Sequence, residues 1–280
     1  MSLLDIQNLT VTFPTPRGKV NVVDGVSLQL GTERLGIVGE SGSGKSMTGR
    51  AILGLVRAPG VVKADRMAFE GRELQGLPAR EMRKIRGARI SMVMQDPKFS
   101  LNPVMTVGRQ IEEALRTHER LPRRALKARV AEMLEAVRIH DPERVMGLYP
   151  HEVSGGMGQR IMIAMMLIPR PRILIADEPT SALDVSVQGQ VLDLIDELVR
   201  EHGMGLLLVS HDLQLVGRYC DRAMVMNAGR VVETLDAKDL NAAQHPYTKG
   251  LLAAVPRMNE TRAELPVLDR TQLGDLGAST

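Results

Sequence analysis

The sequence predicts an α/β fold with a mostly parallel core sheet, an antiparallel β part at the N-terminal end and a helical insertion. Short, continuously apolar runs in the second half of the chain alternate with helical segments, as buried parallel strands do. Residues 3–13 and 23–30 instead alternate apolar and polar side chains, which is typical of half-buried antiparallel strands. Between residues 106 and 147 the strand pattern is lost and apolar residues recur at helical spacing.

The composition is that of a globular protein. Of the 280 residues, 44% are hydrophobic and 25% are charged, which is enough to bury a large core. Only 2% are aromatic, and we expect the 17 methionines to fill part of the core because their side chains adapt to irregular gaps. The net charge of +3 is small and argues against a nucleic-acid surface. The single Cys220 excludes a disulfide within the chain and suits a reducing cytoplasm. No signal peptide and no apolar run long enough to span a membrane is visible.

The first elements are the two alternating strands, with a turn region between them that is marked by Pro14, Pro16 and Gly18. The elements that follow are a buried strand at 35–38, a helix at 47–56, a strand at 66–70, a helix at 80–86 and a strand at 90–94.

The glycine-rich stretch between the strand at 35–38 and the next helix has the spacing of a phosphate-binding loop, a glycine, four residues and then Gly-Lys-Ser. Its glycines let successive backbone N–H groups surround a polyphosphate, and the helix N-terminus adds partial positive charge. Lys45 is expected to reach the β- and γ-phosphates, and the Ser46 hydroxyl to bind Mg²⁺. We therefore predict a nucleotide-binding protein. The predicted contacts in this loop are Gly39, Glu40, Ser41, Gly42, Ser43, Gly44, Lys45 and Ser46.

Acidic and basic side chains lie at the carboxyl ends of two later apolar strands, at residues 172–178 and 205–210. Because the carboxyl ends of parallel strands meet at one edge of a sheet, we expect these side chains beside the phosphate loop. Asp177 can hold Mg²⁺ through water, and Glu178 can orient the attacking water or accept its proton. His211 can hydrogen-bond a γ-phosphate.

A second pair of glycines, Gly155 and Gly156, follows Ser154 at the start of an apolar helix that extends to residue 168. This arrangement predicts a second anion site at a helix N-terminus. One nucleotide does not need two such loops from the same subunit. The simplest explanation is a dimer in which the second loop of each subunit closes over the nucleotide of the other.

The remaining elements are a helix at 187–199, a hairpin formed by 223–226 and 230–234, and a polar tail from 259 to 280 that we expect to be loosely ordered. We assign residues 1–258 to one ATPase domain, with a helical subdomain inserted at about 97–158.

Together these motifs resemble the ATP-binding subunits of ABC transporters, over nearly all of residues 3–255 and with every motif in order. The corresponding stretches are residues 39–46 (Walker A), Gln95 (Q-loop), 154–159 (signature loop), 173–178 (Walker B), 181–184 (D-loop) and His211 (switch histidine). The resemblance implies ATP and Mg²⁺ as cofactors and catalytic roles for Glu178 and His211. It further implies that ATP is contacted by Gln95, Ser154, Gly155 and Gly156, and that Mg²⁺ is held by Ser46, Gln95 and Asp177.

Two strings, residues 95–108 and 245–252, are similar to the oligopeptide, dipeptide and nickel importer branch of that family. The resemblance implies an ATP-hydrolysing motor subunit that lies peripherally at the cytoplasmic face of the inner or plasma membrane. Its implied partners are two multi-span permease subunits, a second identical or related ATPase subunit and a solute-binding protein, and no nucleic acid. Oligopeptides or dipeptides are the expected cargo, and nickel, metal chelates or another small solute are the alternatives.

Three departures from the family pattern concern the signature flanks, the adenine site and the tail. Val153 and Gly158 replace the residues that usually flank the signature core. Thr15 falls near the position where many relatives stack an aromatic ring on adenine, and the aromatic Phe13 lies two residues before Thr15. The cysteine-rich tail of many peptide-transporting members is missing after Cys220. The competing classes are a soluble ABC ATPase acting on nucleic acid or ribosomes, an exporter, and a non-hydrolysing ATP sensor.

Overall fold

The computed structural model describes residues 2–94, 101–181 and 183–254. The predictions for Gln95 and for the tail from residue 259 therefore lie outside the described residues.

Eleven strands and nine α-helices are found in the described residues. The strands are β1 (Leu4–Thr15), β2 (Gly18–Leu30), β3 (Arg34–Val38), β4 (Val61–Lys63), β5 (Arg66–Phe69), β6 (Arg72–Glu73), β7 (Ile90–Val93), β8 (Ile173–Asp177), β9 (Gly205–Ser210), β10 (Arg222–Asn227) and β11 (Arg230–Asp236). The helices are α1 (Lys45–Ile52), α2 (Ala79–Arg83), α3 (Val107–Arg116), α4 (Arg123–Ala136), α5 (Pro142–Gly147), α6 (Gly155–Leu167), α7 (Val185–Glu201), α8 (Leu213–Tyr219) and α9 (Pro246–Ala254).

The N-terminal sheet is antiparallel, as the alternating pattern predicts. Its order is β2-β1-β5-β6, and β4 also pairs with β1. The first two strands are longer than predicted, since β1 runs to Thr15 and only Pro16 and Arg17 form the turn before β2 begins at Gly18. The short strands β4 and β6 were not predicted, because two or three residues are too few to show a period.

The core sheet has the order β11-β10-β3-β9-β8-β7. Strands β10, β3, β9, β8 and β7 run parallel, and β11 is antiparallel to β10. Every position of β8 and β9 is buried, because helices or the second sheet cover both faces. The predicted hairpin is confirmed as β10 and β11, and its first strand extends the parallel core sheet by pairing with β3.

Two apolar clusters lie on opposite faces of the core sheet, and alternate side chains of β8 enter different clusters. Ile173 and Ile175 pack with the N-terminal sheet. Leu174 and Ala176 pack with α3, α4, α6 and α7. The methionines Met162, Met204, Met224 and Met226 are almost fully buried, which confirms that methionine fills core volume.

Between β7 and β8 the described chain is helical, as the 3.6-residue period predicts. The apolar positions of α3 and α4 are fully buried and lie at Ile111, Leu115, Leu126, Val130 and Leu134. No helix in the described ranges is long and apolar enough to cross a bilayer.

Candidate functional site

The glycine-rich loop connects the end of β3 to the start of α1, and close backbone approaches fix its two ends. Gly44 has a φ of 100°, and a Cβ atom there would lie 2.5 Å from the carbonyl oxygen of Val22. A Cβ atom on Gly39 would lie 2.1 Å from the carbonyl oxygen of Met226. Only glycine fits either position, since β2 and β10 run directly against the loop.

Lys45, the first residue of α1, folds its side chain back over this loop. Its Nζ atom donates hydrogen bonds of 2.8 Å to the carbonyl oxygens of Gly39 and Glu40. Burial lowers the pKa of Lys45, and the carboxylates of Glu178 and Asp177 oppose that shift. The ammonium group is thus held at the mouth of the loop by acceptors that phosphate oxygens can replace.

Ser46 and Asp177 meet where the start of α1 reaches the end of β8. The Ser46 hydroxyl donates a 2.6 Å hydrogen bond to Oδ1 of Asp177. Burial raises the pKa of Asp177, and the hydrogen bond from Ser46 opposes this effect. A hydroxyl and a carboxylate oxygen beside a phosphate loop fit Mg²⁺, which takes few protein ligands and completes its shell with phosphate and water. The sequence places these residues 131 positions apart, and the structure brings them together.

Glu178 lies directly after β8 in a strained conformation. Its φ is 46°, in the left-handed region that costs a non-glycine residue on the order of 1 kcal/mol or more. Its backbone N–H donates to the carbonyl oxygen of Val209 in β9 at 3.0 Å. The side chain of Ser181 donates back to the Glu178 carbonyl oxygen at 3.2 Å. These contacts hold the turn that follows β8.

His211 follows β9 and lies beside Glu178, as the strand-end argument predicts. Its Nδ1 atom is 3.4 Å from Oε1 of Glu178. The histidine side chain is 61% exposed and that of the glutamate is 18% exposed. A ligand over the sheet edge can therefore reach the imidazole, whereas the carboxylate is more enclosed.

The second glycine loop begins α6. Ser154 is the N-cap residue, and its side chain accepts a 3.3 Å hydrogen bond from the backbone N–H of Met157. Ser154 and Gly155 are exposed, and a Cβ atom on Gly156 would already contact the side chain of Val187 at 3.4 Å. The loop therefore presents backbone N–H groups at the protein surface.

The sequence analysis includes Gln159 in the signature loop but not among the predicted ATP contacts. In the structure this residue connects the second glycine loop to the acid turn. Gln159 is 1% exposed, and its side-chain amide donates to the carbonyl oxygen of Pro179, the residue after Glu178. The signal that could have found it is a polar side chain within a mostly apolar helix, in which only Gln159 and Arg160 are polar, since a buried amide needs a partner.

The ring of Phe13 contributes to the N-terminal core. A Cβ atom on Gly60 would lie 2.7 Å from two of its ring atoms. Thr15 closes the β1–β2 turn, where its hydroxyl donates to the carbonyl oxygen of Gly18 at 2.8 Å.

Comparison with known families decides the identity of this arrangement. The family described as ABC transporter matches residues 23–181, which include both glycine loops and the acid pair. The chain belongs to the ABC transporter family. The sequence resemblance and the predicted ABC-type ATPase fold are thereby confirmed.

Similar proteins are named as peptide transport subunits. The chain is 47% identical over 270 residues to the dipeptide transport ATP-binding protein DppD of Haemophilus influenzae, covering 96% of this chain and 82% of that protein. It is 46% identical over 270 residues to the oligopeptide transport ATP-binding protein OppD of Escherichia coli, covering 95% of this chain and 80% of that protein.

Among solved structures, a bacterial ABC transporter cassette in dimeric form is 27% identical with a TM-score of 0.74, covering 84% of this chain and 98% of that one. A dimeric cassette in a post-hydrolysis state, bound to ADP and Pi, is 26% identical with a TM-score of 0.74 and the same coverage. This ABC protein is accordingly a nucleotide-binding ATPase.

Proposed function

We propose that this ABC protein is the ATP-hydrolysing motor subunit of a membrane importer of oligopeptides or dipeptides. The observation that carries the proposal is the convergence of Lys45, Ser46, Asp177, Glu178 and His211 at one sheet edge beside the glycine loop. The names of the relatives support peptides as cargo. Nickel, metal chelates or another small solute are the alternative cargo, since the motor subunit need not contact the solute.

ATP binding is assigned to the first glycine loop. Backbone N–H groups of residues 39–46 and the N-terminus of α1 face the phosphates, and the Lys45 ammonium exchanges its two carbonyl acceptors for phosphate oxygens. Ser46 and Asp177 would hold Mg²⁺, with Gln95 as the third proposed ligand. When bound, the ion neutralises the charge of the β- and γ-phosphates.

Hydrolysis is assigned to Glu178 and His211. The Glu178 carboxylate accepts a hydrogen bond from the attacking water and takes its proton. The strained turn that carries Glu178 directly follows β8, at the sheet edge where we place the nucleotide. His211, 3.4 Å from that carboxylate, donates a hydrogen bond to the γ-phosphate and orients it.

A second ATPase subunit, identical or related, completes each site in this proposal. Ser154, Gly155 and Gly156 lie at an exposed helix N-terminus, where they can contact the nucleotide of a facing subunit. The dimeric forms of the similar cassettes support this arrangement. The hydrogen bond from Gln159 to Pro179 then connects the loop that contacts the second subunit's nucleotide to the turn that carries Glu178.

The helical insertion, proposed as a subdomain at about 97–158 within a domain of residues 1–258, is where we expect the permease subunits to dock. Helices α3, α4 and α5 enclose a groove of about 890 Å³. The charged side chains along it are Arg109, Glu112, Arg116, Arg123, Lys127 and Glu143, an excess of two positive charges that suits an acidic or polar cytoplasmic helix. Docking there places the subunit peripherally at the cytoplasmic face of the membrane. A solute-binding protein is proposed to deliver the cargo.

The test is Glu178→Gln, with Lys45→Ala as the matched variant of the binding loop. Glu178→Gln keeps the shape of the side chain and removes the proton acceptor, so we expect ATP affinity to persist and the hydrolysis rate to fall about 10²- to 10⁴-fold. Lys45→Ala is expected to weaken ATP binding itself. Normal turnover in Glu178→Gln would remove this residue from its catalytic role, and unchanged affinity in Lys45→Ala would refute the role of the loop.

The partners are tested by purifying tagged Glu178→Gln protein from native membranes in MgATP and identifying the chains that accompany it by mass spectrometry. We expect two multi-span membrane proteins and a solute-binding protein, whose ligand then identifies the cargo. Recovery of ribosomal or DNA-associated proteins in their place would refute the importer assignment and leave the ATPase assignment intact.

A further inference from the structure

Tyr247 in α9 forms a hydrogen bond with the phosphate loop. Its side chain is 1% exposed, and its hydroxyl accepts a 3.1 Å hydrogen bond from the backbone N–H of Glu40. The two residues are 207 positions apart, and Glu40 is the second residue of the loop. A helix near the end of the described chain thus reaches the site where the nucleotide phosphates are expected.

The peptide unit between Gly39 and Glu40 is held from both sides. Its N–H group donates to Tyr247, and its carbonyl oxygen accepts the 2.8 Å hydrogen bond from Nζ of Lys45. In a trans peptide these two groups point in opposite directions. The peptide plane therefore cannot rotate without breaking one bond or the other, so the tyrosine hydroxyl restricts the carbonyl that holds the lysine.

The start of α9 is fixed by the hairpin strand β11 and by its own first residues. The carboxylate of Glu233 accepts from the backbone N–H groups of Gln244 at 2.6 Å and His245 at 3.3 Å. Nδ1 of His245 accepts from the backbone N–H of Tyr247 at 3.2 Å, which satisfies a free donor of the first helical turn. Pro246 begins the helix, a position where its missing N–H costs nothing. These contacts fix the backbone at the start of α9, and the Tyr247 side chain that follows is buried.

We propose that Tyr247 is a positioning residue for ATP binding, acting on Lys45 through the Gly39–Glu40 peptide. The hydroxyl keeps this peptide in the orientation in which its carbonyl holds the ammonium group over the loop, ready for phosphate. The inference depends on the proposed role of Lys45 in binding the phosphates. A tyrosine that only fills core volume would act through its ring, and removal of the hydroxyl would leave nucleotide affinity unchanged.

The test compares Tyr247→Phe with Tyr219→Phe in the full chain. Tyr219 is also buried, at 4% exposure, and its hydroxyl donates to Asp193 at 2.8 Å in another part of the molecule. Both variants lose one buried hydroxyl and keep the ring. The Tyr219 hydroxyl bonds to a carboxylate, so Tyr219→Phe should lose at least as much stability as Tyr247→Phe. We expect Tyr247→Phe to raise the Kd and KM for MgATP about three- to tenfold, the effect of losing one neutral hydrogen bond, with kcat at saturating MgATP within about twofold. Tyr219→Phe should leave Kd and KM at the wild-type values.

Amide hydrogen exchange at Glu40 gives a direct second readout. In Tyr247→Phe this amide should exchange faster than in the wild type and in Tyr219→Phe, because its acceptor has been removed.

Three outcomes would overturn the inference: an unchanged Kd in Tyr247→Phe, an equal rise in Tyr219→Phe, or unchanged exchange at Glu40. Lys45→Ala distinguishes this failure from failure of the proposed function. If Lys45→Ala weakens MgATP binding and Tyr247→Phe does not, the loop binds phosphate and the tyrosine has no positioning role. If neither variant affects binding, the phosphate-loop assignment itself fails.

Discussion

Replacement of Gly44 by alanine tests how the phosphate loop is built. Gly44 has a φ of 100°, and its added Cβ atom would lie 2.5 Å from the carbonyl oxygen of Val22 and 3.3 Å from the end of the Met226 side chain. The methionine can move, whereas the carbonyl belongs to the backbone of β2, which pairs with β1 along its length. The loop or the strand must therefore shift.

The expected cost has two parts. An alanine at this φ costs about 1–3 kcal/mol, and the forced contact with backbone costs about 1–3 kcal/mol more. Gly42→Ala is the matched control, since Gly42 has a φ of 84° and nothing within 4 Å of its Cβ position. It should lose only the first part. We therefore expect Gly44→Ala to lower the free energy of unfolding by about 1–3 kcal/mol more than Gly42→Ala does.

Urea denaturation of the two variants and the wild type measures this difference in the free energy of unfolding. Titration with MgATP measures whether the altered loop binds nucleotide more weakly. Gly44→Ala should also bind MgATP more weakly than Gly42→Ala, because the residue precedes Lys45 directly. Equal free energies of unfolding for the two variants would show that β2 does not confine the loop, and the packing argument would then be wrong.

Two further predictions concern groups away from the nucleotide. The Arg34 guanidinium donates a hydrogen bond to Asp221 and holds the pKa of that carboxyl below its usual range. The ionised Asp221 therefore stabilises the fold fully above about pH 4, and this stabilisation is lost as the pH falls through the lowered pKa. Because the Asp221 side chain is partly exposed, Asp221→Asn should lower the free energy of unfolding by only on the order of 1 kcal/mol at pH 7, and by less at pH 3. An equal decrease in the free energy of unfolding at both pH values would contradict the argument. Burial raises the pKa of the Cys220 thiol to about 12, so a thiol reagent at pH 8 should label the native protein at least about 100-fold more slowly than the urea-unfolded protein. Rapid labelling of the native protein would show that this site is open.

The strands and helices could be predicted to the extent that their patterns are local. The alternation in β1 and β2, the apolar runs of β8 and β9 and the helical period of α3 and α4 each reflect which face of an element is buried. The ends of the helices and strands were predicted less accurately. The helix after the loop was predicted at 47–56, but α1 begins at Lys45 and ends at Ile52, and Gly54 beyond it has a φ of 60°.

The sequence by itself determined the phosphate loop, the acid pair and the two strand ends on which the predicted site is built, because spacing and residue chemistry are properties of short stretches. The tertiary structure alone decided that Gln159 bonds to Pro179 and that Tyr247 bonds to Glu40. It also decided that β10 joins the core sheet beside β3. Each of these contacts joins residues that are distant in the chain, and no local period records a hydrogen bond across 207 positions. Burial of the core removes water from these polar groups. Each group therefore forms a hydrogen bond with a polar group that the tertiary structure places beside it.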